Sequence, residues 1–260
     1  MATGDILAQV ADQRTVEEIK NSIGETDDTG GSTVAGTAMA KMNKAIEDTG
    51  LINESIKDIV SVVASGIFEK DVPGTYSVKL SPITTQIKVT ACGAGGGGGG
   101  GGVNDHEKYA GGGGGGGAAI VNKVFTVPKG ATLSVTVGKG GIANYTADGK
   151  AGEATIIKDV VTLAGGKGGK SGYKSTAPVA GGAAGGTGGG KGGDSGQDGS
   201  PGVLGAGGKG STGNWNIGGG GGSIGNGGSA NQVGTRGGGG GGSAYRDAAK
   251  GGDGYVKIEW

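Results

Sequence analysis

Cysteine is almost missing: Cys92 is the only one in 260 residues, so no internal disulfide can form. Proline is scarce, five in all. With no sustained Gly-X-Y period either, a collagen triple helix is excluded. No run of about 18 apolar residues occurs, so no membrane insertion is expected. The start, Met1-Ala-Thr-Gly-Asp5, lacks a basic stretch followed by an apolar one, so it is not read as a secretory signal. There is no zinc-type spacing, no basic helix and no aromatic–basic alternation, so nucleic-acid partners are not expected.

What is present is glycine. It accounts for 70 residues, against a usual share of about 7%. Only Gly4, Gly24, Gly30, Gly31, Gly36, Gly50, Gly66 and Gly74 precede position 93, so two different materials are joined end to end. Flexible-linker disorder is the ordinary reading of such composition. Against it, the glycine runs alternate with strand-like segments. The chain also ends in an alternating apolar stretch, Gly254-Tyr-Val-Lys-Ile-Glu-Trp260. Charge is zero overall, but residues 1–72 sum to −7 and residues 73–260 to +7. The second half could therefore be attracted to an anionic surface.

Residues 1–67 read as a helical segment for attachment and oligomerisation. The spacing of Ile52, Ile56, Ile59 and Val63 is an a/d stripe, and isoleucine at both position types predicts three or more parallel helices, a homotrimer. Residues 68–163 read as a strand-rich core with the first glycine runs. Thr75–Leu80, Thr84–Cys92, Ala119–Val127, Thr132–Val137, Glu153–Lys158, Val160–Leu163 and Tyr255–Trp260 predict a small antiparallel β-sandwich. Residues 164–260 read as a glycine-rich tip closed by the last strand. Its runs, with 93–102 and 111–117 before them, suit polyglycine-II. That form is a threefold extended backbone rising about 3.1 Å per residue; it keeps every N–H for lateral bonds to neighbouring runs. In Ala164-Gly-Gly-Lys-Gly-Gly-Lys-Ser-Gly-Tyr173 the side chains recur every third residue, which leaves two faces bare for packing.

Catalytic chemistry is weakly represented, and the chain is not expected to be an enzyme or to hold a cofactor or metal. G-x-G-x-x-G recurs, but never between a strand and a helix. Asp194-Ser-Gly-Gln-Asp-Gly199 resembles half a calcium loop, with glycine at the third ligand position. Side chains that can bind concentrate in the connections between glycine runs: His106, Tyr109, Tyr173, Asn214, Trp215, Asn216, Arg236, Tyr245 and Arg246. Trp, Tyr and Arg dominate binding hot spots. Trp215 between Asn214 and Asn216 suits sugars.

Several segments carry a likeness. Pro73-Gly-Thr-Tyr-Ser-Val-Lys79, Ile87-Lys-Val-Thr-Ala-Cys-Gly-Ala-Gly95, Val135-Thr-Val-Gly-Lys-Gly-Gly141 and the ending Gly251-Gly-Asp-Gly-Tyr-Val-Lys-Ile-Glu-Trp260 resemble the glycine-rich domain of phage tail proteins. Residues 23–44, beginning Ile23-Gly-Glu-Thr-Asp-Asp, resemble the leader of tail proteins from phages and prophages of Gram-positive bacteria. The glycine-rich part is similar in design to the tail-fibre tip adhesins of T-even-like phages, although their tryptophan-rich attachment segment is missing. The resemblance implies a receptor-binding protein on a virion tail, released by lysis. Its partners would be a surface polysaccharide, teichoic acid or surface protein, and other tail proteins. A purely structural fibre component and an ice-binding polyglycine protein are the competing readings.

Overall fold

The computed structural model describes residues 65–101, 110–172, 178–211, 216–244 and 248–260, together with Lys44, Glu47, Thr49 and Gly50. The chain divides into two compact units, Met1–Ile59 and Val60–Trp260. The expectation of an α-helical coiled-coil stalk is corrected here. Among the described residues the structure is mostly β, two antiparallel sheets, and every named element is a strand. Lys44, Glu47, Thr49 and Gly50 have helical backbone but are all exposed, so none reports a packed helical core. Ile52, Ile56, Ile59 and Val63 lie outside the described residues.

Eight strands form the β part: β1 (Ile67–Lys70), β2 (Gly74–Lys79), β3 (Gln86–Cys92), β4 (Ala119–Thr126), β5 (Thr132–Val137), β6 (Thr155–Ile157), β7 (Val161–Leu163) and β8 (Tyr255–Glu259). One sheet has the order β1-β8-β3-β4 and the other β2-β5-β6-β7. Alternation decides which faces meet. In β3, Ile87, Val89 and Ala91 are buried while Gln86 and Lys88 are exposed; in β5, Leu133, Val135 and Val137 are buried. These residues join Val78, Ile157, Leu163, Val256 and Ile258 in one cluster drawn from both sheets. Burying each such side chain contributes about 1.5–3 kcal/mol. β1 is the strand that the sequence pattern missed. Ile67-Phe-Glu-Lys70 is too short and too exposed to show alternation, and it exists because β8 offers it a ladder.

The strands continue directly into a bundle of extended runs. β3 leads into 93–101, and 110–118 leads into β4. β5 leads into 138–142, 147–154 into β6, β7 into 164–172, and 248–254 into β8. Run 93–101 shows the packing rule. Gly93, Gly96 and Gly99 donate to Ala118, Gly115 and Gly112 of run 110–118. Ala94, Gly97 and Gly100 donate to Glu153, Lys150 and Ala147, and Gly95 and Gly98 to Gly252 and Ala249. Every third residue thus faces the same neighbour, which is a threefold backbone. The same run accepts bonds from 164–172, from Gly141, and from Gly240 and Ser243 of the run 237–244. These N···O distances are 2.8–3.3 Å, and the run is surrounded on all sides. Run 110–118 is enclosed in the same way by 93–101, 164–172, 180–186, 187–195, 218–222 and 237–243.

Such enclosure explains the glycine. A Cβ on Gly96 would overlap the Lys167 carbonyl, one on Gly113 the Gly219 carbonyl, and one on Gly239 the Gly114 carbonyl. Outer runs escape this rule on their free side, where Lys167, Lys170, Ala183, Lys191 and Lys209 point to solvent. That is why 147–154, 197–202, 225–229 and 232–236, which look like loops in the sequence, also belong to the bundle. Where a run ends, buried hydroxyls complete the network. Ser223 donates to Gly117 O at 2.8 Å, Ser195 to Ala110 O at 2.6 Å, and Thr155 Oγ1 accepts from Gly138 N at 3.2 Å.

A single run cannot persist alone, because ordering one glycine costs about 1–2 kcal/mol and one net hydrogen bond returns about 0.5–1.5 kcal/mol. Both the donor and the acceptor of a central glycine are engaged, so each added neighbour stabilises runs already in place. Gly239→Val should therefore lower stability by about 3 kcal/mol or more, the upper range of overpacking. Ala183→Val, on an exposed position, should stay within about 0.5 kcal/mol of the native protein. Urea unfolding of both variants checks this; equal midpoints would show that the runs are not packed against one another.

Candidate binding tip of the bundle

The bundle has a near pole against the sandwich and a far pole opposite. Near-pole connections are tight turns at 186–188, 202–205, 223–225 and 235–237. Gly188 and Gly237, both at φ 81°, make two of them. At the far pole stand Gly101 and Ala110, Gly172 and Pro178, Ser211 and Asn216, and Ala244 and Ala248. These residues flank 102–109, 173–177, 212–215 and 245–247, which lie outside the described residues.

The roots are bonded to one another. Ala110 N donates to Asn216 O at 3.2 Å and Gly111 N to Ser243 O at 3.2 Å. Gly172 N donates to Gly100 O at 3.0 Å, and Ser195 N to Val179 O at 3.0 Å. Ala110, Ile217 and Ala244 form a small buried cluster there with Ala230 against it. The chain therefore leaves for all four connections, and returns from them, at one pole.

Of the residues expected to bind, His106, Tyr109, Tyr173, Asn214, Trp215, Tyr245 and Arg246 fall within those connections and outside the described residues. Asn216 is at a root, half-buried, its side chain beside Gly196, whose φ of 80° turns the chain there. Arg236 is elsewhere. It sits in a near-pole turn at φ 32°, its guanidinium 4.6 Å over the Tyr255 ring and 3.9 Å from both Glu69 and Asp71. A far-pole residue the sequence reading passed over is Tyr145. It is half-buried in the turn after Ile142, held where Gly100 N donates to Ala147 O at 3.3 Å. Its signal was an aromatic between glycine pairs 140–141 and Gly149, too short a spacing to stand out as a connection.

Aromatics consequently divide between the poles. Phe68, Tyr76, Phe125 and Trp260 pack on the sandwich core, and Tyr255 packs with Cys92 and Ala119 where the sandwich meets the bundle. Tyr145 is at the far pole, and Tyr109, Tyr173, Trp215 and Tyr245 belong to the connections rooted there.

Aspartates secure these roots. An outer run has an N–H with no neighbouring run to receive it, and a carboxylate takes its place. Asp148 Oδ1 accepts from Ser171 N at 2.8 Å, Asp194 Oδ1 from Gly181 N at 2.9 Å, and Asp198 Oδ1 from Gly210 N at 2.8 Å. At the near pole Asp253 Oδ1 does the same for Gly140 N at 2.8 Å. Each carboxylate also pairs with a lysine: Asp148 with Lys170 at 2.7 Å, Asp194 with Lys191 at 3.3 Å, Asp198 with Lys209 at 3.0 Å and Asp253 with Lys250 at 2.8 Å. These four lysines are therefore engaged within the fold, and the net charge of +7 over residues 73–260, which already counts the paired aspartates, rests on the other basic side chains.

Burial raises the Asp148 carboxyl, but hydrogen bonds from Lys170 and Ser171 N and the Lys170 charge outweigh it, leaving its pKa below the usual value. Asp198 is lowered by its Lys209 hydrogen bond first and by Gly210 N second. Burial pushes the Cys92 thiol up to about 11, so it stays a neutral packing group; it donates to Arg236 O at 3.1 Å. Among the described residues no cluster of His, Cys, Asp and Glu could hold a metal ion.

A two-sheet sandwich whose loops are drawn out into an enclosed glycine bundle, with four connections rooted at one pole, defines the class. The chain belongs to the glycine-rich domain family, whose model matches residues 70–260. No curated protein matches it.

A lowered carboxyl pKa stabilises the fold above the unfolded value, about 3.9 for aspartate, and that stability is lost as pH falls through the lower folded value. Asp148→Asn should cost a modest amount, at most about 1 kcal/mol for so exposed a pair. The difference from the native protein should be constant from about pH 5 to 8 and shrink below about pH 4. Denaturant midpoints across that range test this; a difference that grows in acid would contradict it.

Proposed function

We propose that this chain is the host-binding tip of a bacteriophage tail fibre, or of a phage-derived particle, and that it adheres to the bacterial surface without catalysis. One observation carries the reading: the four connections that hold His106, Tyr109, Tyr173, Trp215, Tyr245 and Arg246 all root at a single pole of a densely hydrogen-bonded bundle. A rigid scaffold that displays variable side chains on loops is a common way to build a binding surface. The sandwich stands at the other pole, where the preceding chain arrives and other tail proteins can attach. The resemblance of about residues 68–260 and of the leader segment to phage tail proteins supports the same reading. The receptor fits a surface polysaccharide, teichoic acid or surface protein. Trp215 with Asn214 and Asn216 favours a sugar-bearing polymer, because an aromatic face takes the apolar side of a sugar ring and amides take its hydroxyls.

Fluorescently labelled protein should bind whole cells or purified walls within a panel of Gram-positive strains. Trp215→Ala should reduce that binding at least severalfold while the melting temperature stays within a few degrees. Protein that binds no strain in the panel, while remaining folded, would leave a fibre component without receptor contact as the better reading. Normal binding by Trp215→Ala would remove Trp215 from the surface that binds.

A further inference from the structure

The first strand is attached in a direction that matters under load. The chain reaches the sandwich at Gly66, at the end away from the bundle. β1 then runs toward the bundle, with Ile67 beside Glu259 and Lys70 beside Val256. β8 runs the opposite way, emerging from run 248–254 and ending at the outer edge. At that edge Gly66 and Trp260 exchange both backbone bonds, Gly66 N to Trp260 O at 2.7 Å and Trp260 N to Gly66 O at 3.0 Å. The indole covers Gly66 so closely that a Cβ there would overlap it.

The inner end of β1 is secured differently. The Tyr255 hydroxyl donates to Glu69 Oε1 at 2.9 Å. Arg236 lies over the same tyrosine ring and within 3.9 Å of Glu69 and of Asp71, just past the strand. Arg236 belongs to a bundle turn, so this cluster ties the first strand to the bundle as well as to β8.

We infer that β1 is a mechanical clamp, loaded in shear when the far pole is held and the chain before Gly66 is pulled. The source of that tension rests on the adhesin reading; the clamp itself rests on strand direction alone. An axial pull draws β1 outward from its first residue while β8 is held from its bundle end. The two strands are then loaded at opposite ends, and the ladder bonds strain together. A pull between Gly66 and Trp260 loads the same end of both strands. The bonds then open one at a time, each bearing the load alone.

The test holds the full-length protein in optical tweezers in two ways. One pair of handles is at Ser65→Cys and at Gln232→Cys, both exposed, the second at the far pole, so that the separate unit Met1–Ile59 stays out of the load path. The other pair is at Ser65→Cys and the C-terminus. The first opening force should be severalfold higher in the axial geometry; equal forces, or a stronger terminal pull, overturn the proposal. Glu69→Ala should lower the axial force. It should leave the terminal one unchanged, since that opening begins at Gly66; an unchanged axial force removes the latch. Because no cell is present, a weak clamp in a protein that still binds bacteria refutes only this inference. A strong clamp in a protein that binds none refutes only the adhesin.

Discussion

The interaction on which everything else depends is the lateral hydrogen bond between backbones that have no side chains to separate them. A threefold run offers one N–H and one carbonyl on each of its three faces per turn. Only neighbours close enough to leave no space for a Cβ can take them all. Gly96, Gly113 and Gly239 each sit against a carbonyl of another run. From this follow the composition, the position of every exposed side chain on an outer run, and the need for substitute acceptors at the rim. Aspartate is well suited to that last role, because its carboxylate can accept the orphan N–H and still pair with a lysine, through its other oxygen at Asp148 and Asp198 and through the same oxygen at Asp194 and Asp253.

The β-sandwich solves a separate problem. A bundle of interchangeable runs has no intrinsic register, since sliding a polyglycine run by three residues restores the same bonds. Strands with buried valines and isoleucines do not slide so easily, because a shift of one residue turns the apolar set outward. β3, β4, β5, β6, β7 and β8 each continue into a run, so the sandwich sets where those runs begin. Runs not joined directly to a strand are tied in by side-chain contacts to neighbouring backbones, such as Ser223 to Gly117 O.

Much of the β part was legible, because a half-buried strand writes its faces into alternating residues: Ile87, Val89 and Ala91 on one side, Lys88 and Thr90 on the other. β1 was not, since its stability is borrowed from β8 and leaves no pattern in Ile67-Phe-Glu-Lys70. The regular spacing of Ile52, Ile56, Ile59 and Val63 suggested a coiled-coil stalk. Periodicity alone does not supply a partner surface, and the described structure is β. Among the site residues, Arg236 looked like a loop residue because it ends a polar stretch before Gly237. Its place is fixed by contacts more than 160 positions away, with Glu69 and Asp71, which no local pattern can show. The bundle runs rich in Ser, Asn, Thr and Asp were hidden for a related reason. A run on the outside needs glycine on only part of its surface.

One consequence of the enclosed glycine core concerns temperature. Unfolding an ordinary domain exposes apolar surface, which raises the heat capacity and bends the stability curve; exposing peptide groups lowers it. The interior of this bundle is peptide backbone almost throughout, while the buried apolar side chains larger than alanine belong to the sandwich and two small clusters. Its heat-capacity change per residue is accordingly smaller than the usual value of about 12–15 cal/mol/K. The stability of the bundle then varies gently with temperature, and the weakening of the hydrophobic effect on cooling reaches the sandwich first.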